Sequence, residues 1–211
     1  PTFGYVGGQS EATVLAFRWT DAILDWLTNL SIRQKSWKPY PGRIHVGFAQ
    51  AMDSVWDAVV SALAKMPSGS PLYVTGHSLG GALALLAASR LSNDGFVVPK
   101  TIFTFGCPRV GDLDWAGACS SRFVNSPCFR VVHARDIVAH VPLESGILGL
   151  SYFAYKHVGL PVGVTDDGAI TEMWNGVKAE VVARATELGG AWPESLADHA
   201  VEKYITALEA G

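Results

Sequence analysis

The sequence predicts an α/β fold in which a mostly parallel central sheet is flanked by helices. Strand-like and helix-like segments alternate along the chain, which is the order that parallel βαβ units require. The 211 residues include 49% hydrophobic and 17% charged side chains, enough apolar material for a sizeable core. The sequence has no repeat, low-complexity stretch or linker-like segment, so we expect a single domain over residues 1–211.

Local patterns predict the elements in chain order. Short apolar runs bounded by turn residues predict strands at 12–17, 72–75, 101–105 and 129–133. Apolar residues at helical spacing predict helices at 51–66, 79–91, 169–188 and 195–208, the last capped by Ser195. Residues 140–165 are rich in glycine and proline, and we expect mainly loop there.

Charge and cysteine content limit the possible partners. A net charge of −3 with scattered basic residues argues against a nucleic-acid partner. The longest apolar run, 79–88, is shorter than the roughly 18 residues that span a bilayer, and it predicts a buried helix. The histidines and cysteines lack metal-ligand spacing, so we expect neither a metal nor another cofactor. Two alternatives stay open for the thiols: a Cys119–Cys128 disulfide with Cys107 free, or three reduced cysteines.

A serine between two glycines, in Gly76-His77-Ser78-Leu79-Gly80, joins the strand at 72–75 to the helix at 79–91. A serine at the tip of such a sharp turn has a strained backbone, and side chains two positions away on either side would collide. Glycine at both places removes the collision. The N-terminus of the following helix favours negative charge at the reaction centre. The pattern therefore predicts Ser78 as the nucleophile of an α/β-hydrolase fold.

The carboxylate partner should follow a strand beyond the nucleophile, because the chain order in this fold is Ser, then Asp or Glu, then His. Asp136 fits, since it lies on the turn that leaves the strand at 129–133. Asp112 and Asp114 also follow a strand, but Gly111-Asp112 has the pattern of a helix start, where aspartate is a common cap. We therefore expect Asp136 to orient the base and to stabilise its protonated form.

Three histidines lie late enough in the chain to be the general base: His140, His157 and His199. His140 is too close to Asp136 for one short loop to supply both groups and still reach Ser78. His199 precedes the last helical stretch, where a loop can fold back over the sheet edge. The residues alone favour His199 only slightly over His157, so both stay open at this point.

The other histidines have structural interpretations. His77 occupies the unrestricted position of the glycine-flanked turn, and we expect it to pack or hydrogen-bond beside that turn. His45 precedes a glycine-containing segment, and His133 lies in a strand where it faces the core or a helix.

Six segments, taken together, resemble the class 3 lipases, the triacylglycerol-lipase-like family of fungi, plants and bacteria. They occur in the family's order across nearly the whole chain, and such a series is far more specific than the glycine-flanked serine alone. The segments are AFRWT (16–20), HVGF (45–48), VTGHSLGGALA (74–84), FGCPRVGD (105–112), RVVHARDIVAHVP (130–142) and DHAVEKY (198–204).

The resemblance implies an α/β-hydrolase with a triad of Ser78, Asp136 and His199. The family's catalytic histidine lies in a late Asp-His segment followed by a tyrosine, which matches His199 and makes His157 non-catalytic. The resemblance also implies an oxyanion hole formed by the backbone N–H of Leu79 and by Thr20. Trp19 stands where the family usually has glycine, so the turn before Thr20 differs, and the indole can wall the acyl site.

The segment 21–30 corresponds to the lid of the resembling lipases. Its apolar residues gather on one helical face, which would favour adsorption to an oil–water interface; a core-facing helix is the alternative. The side chains expected to contact substrate or to form the lid are Trp19, Ile23, Leu24, Trp26, Leu27 and His77.

The resemblance implies that the substrate is a lipid ester, in the first place a triacylglycerol, met at a transient lipid–water interface. Phospholipase A1, feruloyl-type esterase and acyltransferase activities use the same triad, and a catalytically silent binding module is the alternative from another class. Secretion fits the family, although no secretory signal is visible. Family members carry tens of residues before the early strand, so we expect either a minimal version of the fold or a chain lacking an N-terminal segment.

Overall fold

The computed structural model describes residues 3–9, 11–18, 33–142, 154–171 and 196–211. The strands found there are β1 (Phe3–Gln9), β2 (Ala12–Arg18), β3 (Gln34–Ser36), β4 (Arg43–His45), β5 (Leu72–His77), β6 (Thr101–Phe105), β7 (Cys128–His133), β8 (Leu160–Val164) and β9 (Ile170–Thr171). The helices are α1 (Val46–Leu63), α2 (Leu79–Asn93), α3 (Leu113–Arg122) and α4 (Val201–Ala210), with short 3₁₀ turns at Phe123–Asn125 and Val138–His140.

A mostly parallel sheet forms the centre of the fold, as the sequence predicts. Its order is β1-β2-β5-β6-β7-β8-β9, and β3 and β4 form a separate antiparallel pair. The five strands from β2 to β8 in this order are parallel, and the outer strands β1 and β9 are antiparallel to their neighbours. The carboxyl ends of β5, β6 and β7 therefore meet at one edge of the sheet, where α/β folds place their functional loops.

Helices cover both faces of the sheet. Helix α2 is buried along almost its whole length and packs on β2, β5 and β6, while α1 packs against α2 and β1. Ile102 of β6 belongs to the core cluster around α2, whereas Phe105 of the same strand packs against Tyr204 of α4. Alternate strand residues point to opposite faces, so α2 and α4 lie on opposite sides of the sheet.

Side chains that precede two of the helices determine where these helices begin. His45 Nδ1 accepts hydrogen bonds from the backbone N–H groups of Gly47 and Phe48, at 3.1 and 3.4 Å. Asp112 accepts one from the backbone N–H of Trp115 at 2.9 Å. Each satisfies N–H groups that lack a partner within the helix. The structural interpretation of His45 and the capping interpretation of Asp112 are both confirmed.

The predicted helix boundaries are partly wrong. The helix predicted at 51–66 begins earlier, at Val46, because the His45 cap lies outside the apolar periodicity. The helix predicted at 195–208 is not continuous, since His199 lies in a turn and α4 begins only at Val201. The start of the helix predicted at 169–188 is wrong as well, because Ile170 pairs with Val164 as part of β9. Its remainder, and Ser195, lie outside the described residues.

Three strands in the outer parts of the central sheet, β1, β8 and β9, were not predicted from the sequence. Residues 140–165, expected to be mainly loop, contain β8, whose Val162 pairs with Val131 of β7. Strand β9 pairs with β8 and forms one edge of the sheet. Strand β1 forms the opposite edge and pairs along its length with β2. Three glycines interrupt the pattern of β1, a proline and a glycine interrupt that of β8, and β9 is only two residues long. Their extended form therefore comes from pairing with a neighbouring strand rather than from local pattern.

The three cysteines are free and buried, so the second of the two alternatives for the thiols holds. Burial raises the pKa of the Cys119 and Cys128 thiols to about 12, which makes both poor nucleophiles at neutral pH. Of the helices in the described part of the chain, none is both long and apolar enough to cross a membrane.

Candidate active site

Ser78 lies between the end of β5 and the start of α2, in the turn that the sequence predicts. Its backbone has φ 57° and ψ −129°, a left-handed conformation that is strained for any residue with a side chain. Its N–H donates to the carbonyl of Phe105, at 2.8 Å, and its own carbonyl accepts from the N–H of Gly81, at 2.9 Å. The turn is therefore held by β6 on one side and by the first turn of α2 on the other.

The two glycines of the turn are required by close backbone contact. A Cβ at Gly76 would overlap the carbonyl of Gly80, and a Cβ at Gly80 would overlap the carbonyl of Phe17 in β2. These contacts press the start of α2 against β5 and β2. They explain why the serine has glycine neighbours at both positions and how its strained conformation is maintained.

Asp136 and His199 form a buried acid–base pair at the same sheet edge. His199 Nδ1 donates to Asp136 Oδ2 at 2.8 Å, and the carboxylate side chain is fully buried. Because Nδ1 carries the proton in this bond, Nε2 of the neutral ring has its lone pair available. Nε2 is itself buried and, within the described residues, has no hydrogen-bond partner. This is the protonation state that a general base needs.

Two further donors hold the carboxylate of Asp136. The backbone N–H of Val138 donates to Oδ1 at 2.8 Å, and the hydroxyl of Tyr204 donates to Oδ2 at 2.5 Å. Burial, followed by the charge of Asp136, raises the pKa of Tyr204, so the phenol stays protonated as a donor. Residue types alone did not indicate a role for Tyr204. Its position after His199 in the matched segment 198–204 was the signal that could have identified it.

Gly106 is a second residue that the sequence analysis missed. It follows β6 with φ 55°, and a Cβ there would lie 2.5 Å from Asp136 Oδ2 and 2.9 Å from His199 Nδ1. A side chain at this position would push into the acid–base pair. The glycine in the matched segment 105–112 was visible in the sequence, but its reason is a contact with residues far away along the chain.

The structure places the rival acid and base residues in other roles. Asp112 caps α3 and also accepts from the backbone N–H of Arg43, at 3.0 Å. His157 has its Nε2 2.8 Å from the carbonyl oxygen of Ala139, and burial lowers its pKa well below the ordinary value. The carbonyl of His140 accepts from the guanidinium of Arg109. The arrangement favours Asp136 and His199 as the functional pair.

His77 and His133 pack around the loop that contains His199. His77 Nε2 lies 2.8 Å from the carbonyl oxygen of His199, so His77 does hydrogen-bond beside the turn, as expected. His133, fully buried at the end of β7, has its Nδ1 3.2 Å from the carbonyl oxygen of Asp198 and its ring against Tyr204 of α4. The strand and helix contacts of His133 also agree with the sequence interpretation.

One of the two predicted oxyanion-hole residues, Leu79, lies within the described residues. Leu79 is the first residue of α2, directly after Ser78, and is buried. The other oxyanion-hole residue and the expected lid and acyl-site residues lie outside the described residues: Trp19, Thr20, Ile23, Leu24, Trp26 and Leu27. Across the described ranges no cluster of three histidine, cysteine or carboxylate side chains could hold a metal ion.

Comparison with known proteins identifies the family of this chain. A family model described as "Lipase (class 3)" matches residues 14–146. A lipase of Rhizopus niveus is 35% identical over 168 residues, which cover 75% of this chain and 41% of that protein. The secreted mono- and diacylglycerol lipase 1 of Fusarium solani is 28% identical over 223 residues, covering 92% of this chain and 64% of that protein.

A solved structure supports the same assignment. It is a triacylglycerol lipase described as having a serine protease triad as its catalytic centre; its TM-score is 0.66 with 31% identity, over 79% of this chain and 63% of that one. The chain thus spans less than two thirds of the length of the relatives it matches. Its fold is the α/β-hydrolase fold. From the matched segment and the level of identity, this chain belongs to the class 3 lipase family.

Proposed function

We propose that this protein hydrolyses carboxylic esters of lipids, with Ser78 as nucleophile, His199 as general base and Asp136 as the acid that orients the base. The observation that carries the proposal is the buried Asp136–His199 bond, which leaves His199 Nε2 without a partner among the described residues. His77, which bonds to the His199 carbonyl, immediately precedes the strained Ser78. Base and nucleophile are thereby tied to one sheet edge.

The proposed reaction proceeds through an acyl-enzyme. Ser78 Oγ attacks the acyl carbon of the ester while His199 Nε2 takes the hydroxyl proton, and the carbonyl oxygen becomes an oxyanion. We assign the backbone N–H of Leu79 and Thr20 as the donors to that oxyanion. When the intermediate collapses, the C–O bond to the alcohol breaks and His199 returns its proton to the leaving alcohol. Water then attacks the acyl-enzyme by the same steps and releases the acid.

Triacylglycerols are the substrate class that we propose first. Matched relatives are named as triacylglycerol and as mono- and diacylglycerol lipases, so partial glycerides are the nearest alternative. Phospholipase A1, feruloyl-type esterase and acyltransferase activities would use the same three residues. A silent binding module is disfavoured, because a binding module needs neither the strained serine nor the base with an available nitrogen.

Covalent labelling tests the nucleophile. A fluorophosphonate probe is expected to label the wild-type protein and to fail on Ser78→Ala, while ester turnover falls by about 10⁴-fold or more. Ser121→Ala is the matched control, because Ser121 is an exposed serine whose hydroxyl donates only to a helix carbonyl. Equal labelling of wild type and Ser78→Ala, or no labelling and no turnover in the wild type, contradicts the proposal.

A substrate panel distinguishes the ester classes. It contains p-nitrophenyl esters of rising chain length, emulsified triacylglycerol and diacylglycerol, a phospholipid and a feruloyl ester. A lipase is expected to turn over the glycerides and to gain rate when the substrate forms an emulsion. Turnover confined to acetate and butyrate esters, with no gain on emulsion, contradicts a role at an oil–water interface.

We also propose that the protein is secreted, because relatives at similar identity are named secreted mono- and diacylglycerol lipases. The test is detection of the protein by antibody in the medium and in the cells of its native host. Accumulation inside intact cells, with none in the medium, contradicts the proposal.

A further inference from the structure

The imidazole of His77 connects the strand of the nucleophile to the loop of the base. His77 Nε2 lies 2.8 Å from the backbone carbonyl oxygen of His199. A carbonyl oxygen can only accept, so Nε2 of His77 carries the proton and donates it. One hydrogen bond therefore joins the residue directly before Ser78 to the residue that we assign as the base.

The ring of His77 also packs on the ring of His199. Their centroids are 4.6 Å apart with an interplanar angle of 30°, and the ring of Tyr204 lies edge-on to His77 at 5.6 Å. Burial, followed by the charge of His199, lowers the pKa of His77 to about 4. His77 is therefore neutral at neutral pH, and it does not add a second positive charge when its neighbour takes up a proton.

Other hydrogen bonds of this loop lead to the end of β7 and to the loop that follows it. The Asp136 bond holds the His199 ring at Nδ1, but it ties that ring to the loop after β7. Asp198 is tied to the same region, because its carbonyl lies 3.2 Å from His133 Nδ1 and its carboxylate accepts from the backbone N–H of Arg135 at 3.2 Å. Among the hydrogen bonds of the described residues, the bond from His77 is the one that joins this loop directly to β5, the strand that leads into Ser78.

We propose that His77 is a positioning residue, whose Nε2–H bond to the His199 carbonyl sets the distance and angle between His199 Nε2 and the Ser78 hydroxyl. This inference rests on the proposed function and deepens it. Catalysis by a base and a nucleophile on separate loops requires a near-attack geometry, and small displacements cost large factors in rate. A tether on the backbone of the base fixes that geometry without occupying the nitrogen that takes the proton.

The test compares His77→Gln with His77→Met, two side chains of similar length. Gln retains an N–H donor that can reach the His199 carbonyl, and Met does not. With p-nitrophenyl butyrate, we expect the Met variant to lose about tenfold in kcat while its KM stays within about twofold. The Gln variant is expected to recover kcat to within about threefold of wild type. This rescue would not occur if His77 only filled space.

The same pair of substitutions at His157 provides the control. His157 Nε2 also lies 2.8 Å from a backbone carbonyl oxygen, but that carbonyl belongs to Ala139 and not to the base loop. We expect His157→Gln and His157→Met to have kcat values within about twofold of each other. Thermal melting establishes that each variant is folded. If the Met variant at 77 does not fold, His77→Phe, which keeps the aromatic ring but lacks the donor, takes its place.

The outcomes separate this inference from the proposed function. An active wild type whose Gln and Met variants at 77 have equal kcat contradicts the positioning role of His77. A pair at 157 that differs as much as the pair at 77 contradicts it too, because the effect would then be general to buried histidines. A wild type that neither reacts with a fluorophosphonate nor turns over ester contradicts the proposed function, and the role of His77 with it.

Discussion

Gly106 lies where the acid and base of the candidate site meet. Its backbone has φ 55°, and the space where a Cβ would stand is taken by Asp136 Oδ2 and by the ring of His199. Both features require glycine, the first through backbone conformation and the second through contact. The residue makes no chemical contribution of its own, but it allows the acid–base pair to approach β6.

We expect Gly106→Ala to lower kcat at least about tenfold and to destabilise the fold by about 1–3 kcal/mol. The methyl group is strained at positive φ and would separate Asp136 from His199. Ester turnover and urea unfolding measure the two effects. Unchanged kcat in a folded Gly106→Ala variant would show that the pair tolerates the displacement.

Gly117→Ala is the matched control. Gly117 lies inside α3, is exposed, and a Cβ there would have no atom within 4 Å. Alanine is favoured over glycine in a helix by about 1 kcal/mol, so the control should be equally active and slightly more stable. Both substitutions replace glycine by alanine, so the difference in kcat and stability between the two variants measures the effect of the position of Gly106.

At the level of single residues, the sequence predicts the proposed catalytic residues better than the residues that hold them in place. The three proposed catalytic residues each have a signal in the sequence: Ser78 lies in its glycine turn, Asp136 follows a strand, and His199 lies late in the chain. Tyr204 and Gly106 support the pair by contact with side chains that are distant in sequence. No local pattern predicts such contacts.

At the scale of elements, Asp112 connects α3 to β4. Its Oδ1 accepts from the N–H of Trp115 and its Oδ2 from the N–H of Arg43, so one carboxylate caps a helix and holds the first residue of a strand. The bridge strengthens the part of the fold that follows β6. It also gives this aspartate a structural role that accounts for its position after a strand.

We expect Asp112→Ala to lower the free energy of unfolding by about 1–3 kcal/mol, because a cap and a second backbone hydrogen bond are lost. Its kcat should stay within about threefold of wild type. Asp136→Asn, by contrast, should lose most of its activity while it remains folded. Urea unfolding and ester turnover on both variants give the result. An inactive but stable Asp112→Ala variant would reopen the choice of acid.

Helices and strands, like single residues, were predicted well where the signal is local and poorly where it depends on distant segments. Helix α2 and the strands that surround it have strong apolar patterns, and their positions were predicted closely. Strands β1, β8 and β9 exist through pairing, and the break before α4 exists because His199 turns toward Asp136. A search for periodicity within one segment cannot detect an interaction with another.

At the scale of the whole molecule, buried neutral histidines make stability depend on pH. Burial lowers the pKa of His77 from its ordinary value of 6.5 to about 4, and burial also lowers the pKa of His157 well below its ordinary value. At pH values between about 4 and 6.5, the unfolded chain binds a proton at His77 and the folded chain does not. Since the unfolded state binds more protons, stability rises with pH in this window and is lost as the pH falls from about 6.5 to about 4.

We expect the wild type to lose up to about 3 kcal/mol more than His77→Gln as the pH falls through that window. The Gln variant lacks the titrating ring but retains a donor. Urea unfolding at several pH values between about 7 and about 4 measures the difference. Parallel stability profiles for the two proteins would mean that His77 titrates in the folded state as it does in the unfolded chain.

The sequence by itself determined the fold class and predicted Ser78 and its turn, Asp136 as the acid and, through the family resemblance, His199 as the base. These depend on local features: apolar periodicity, glycine around a strained serine, and the order of residues along the chain. Only the tertiary structure showed that His199 meets Asp136, and only it disclosed the contacts of Tyr204, Gly106 and His77. The physical reason is that hydrogen bonds and close contacts between distant segments depend on how the loops converge at the carboxyl edge of the sheet.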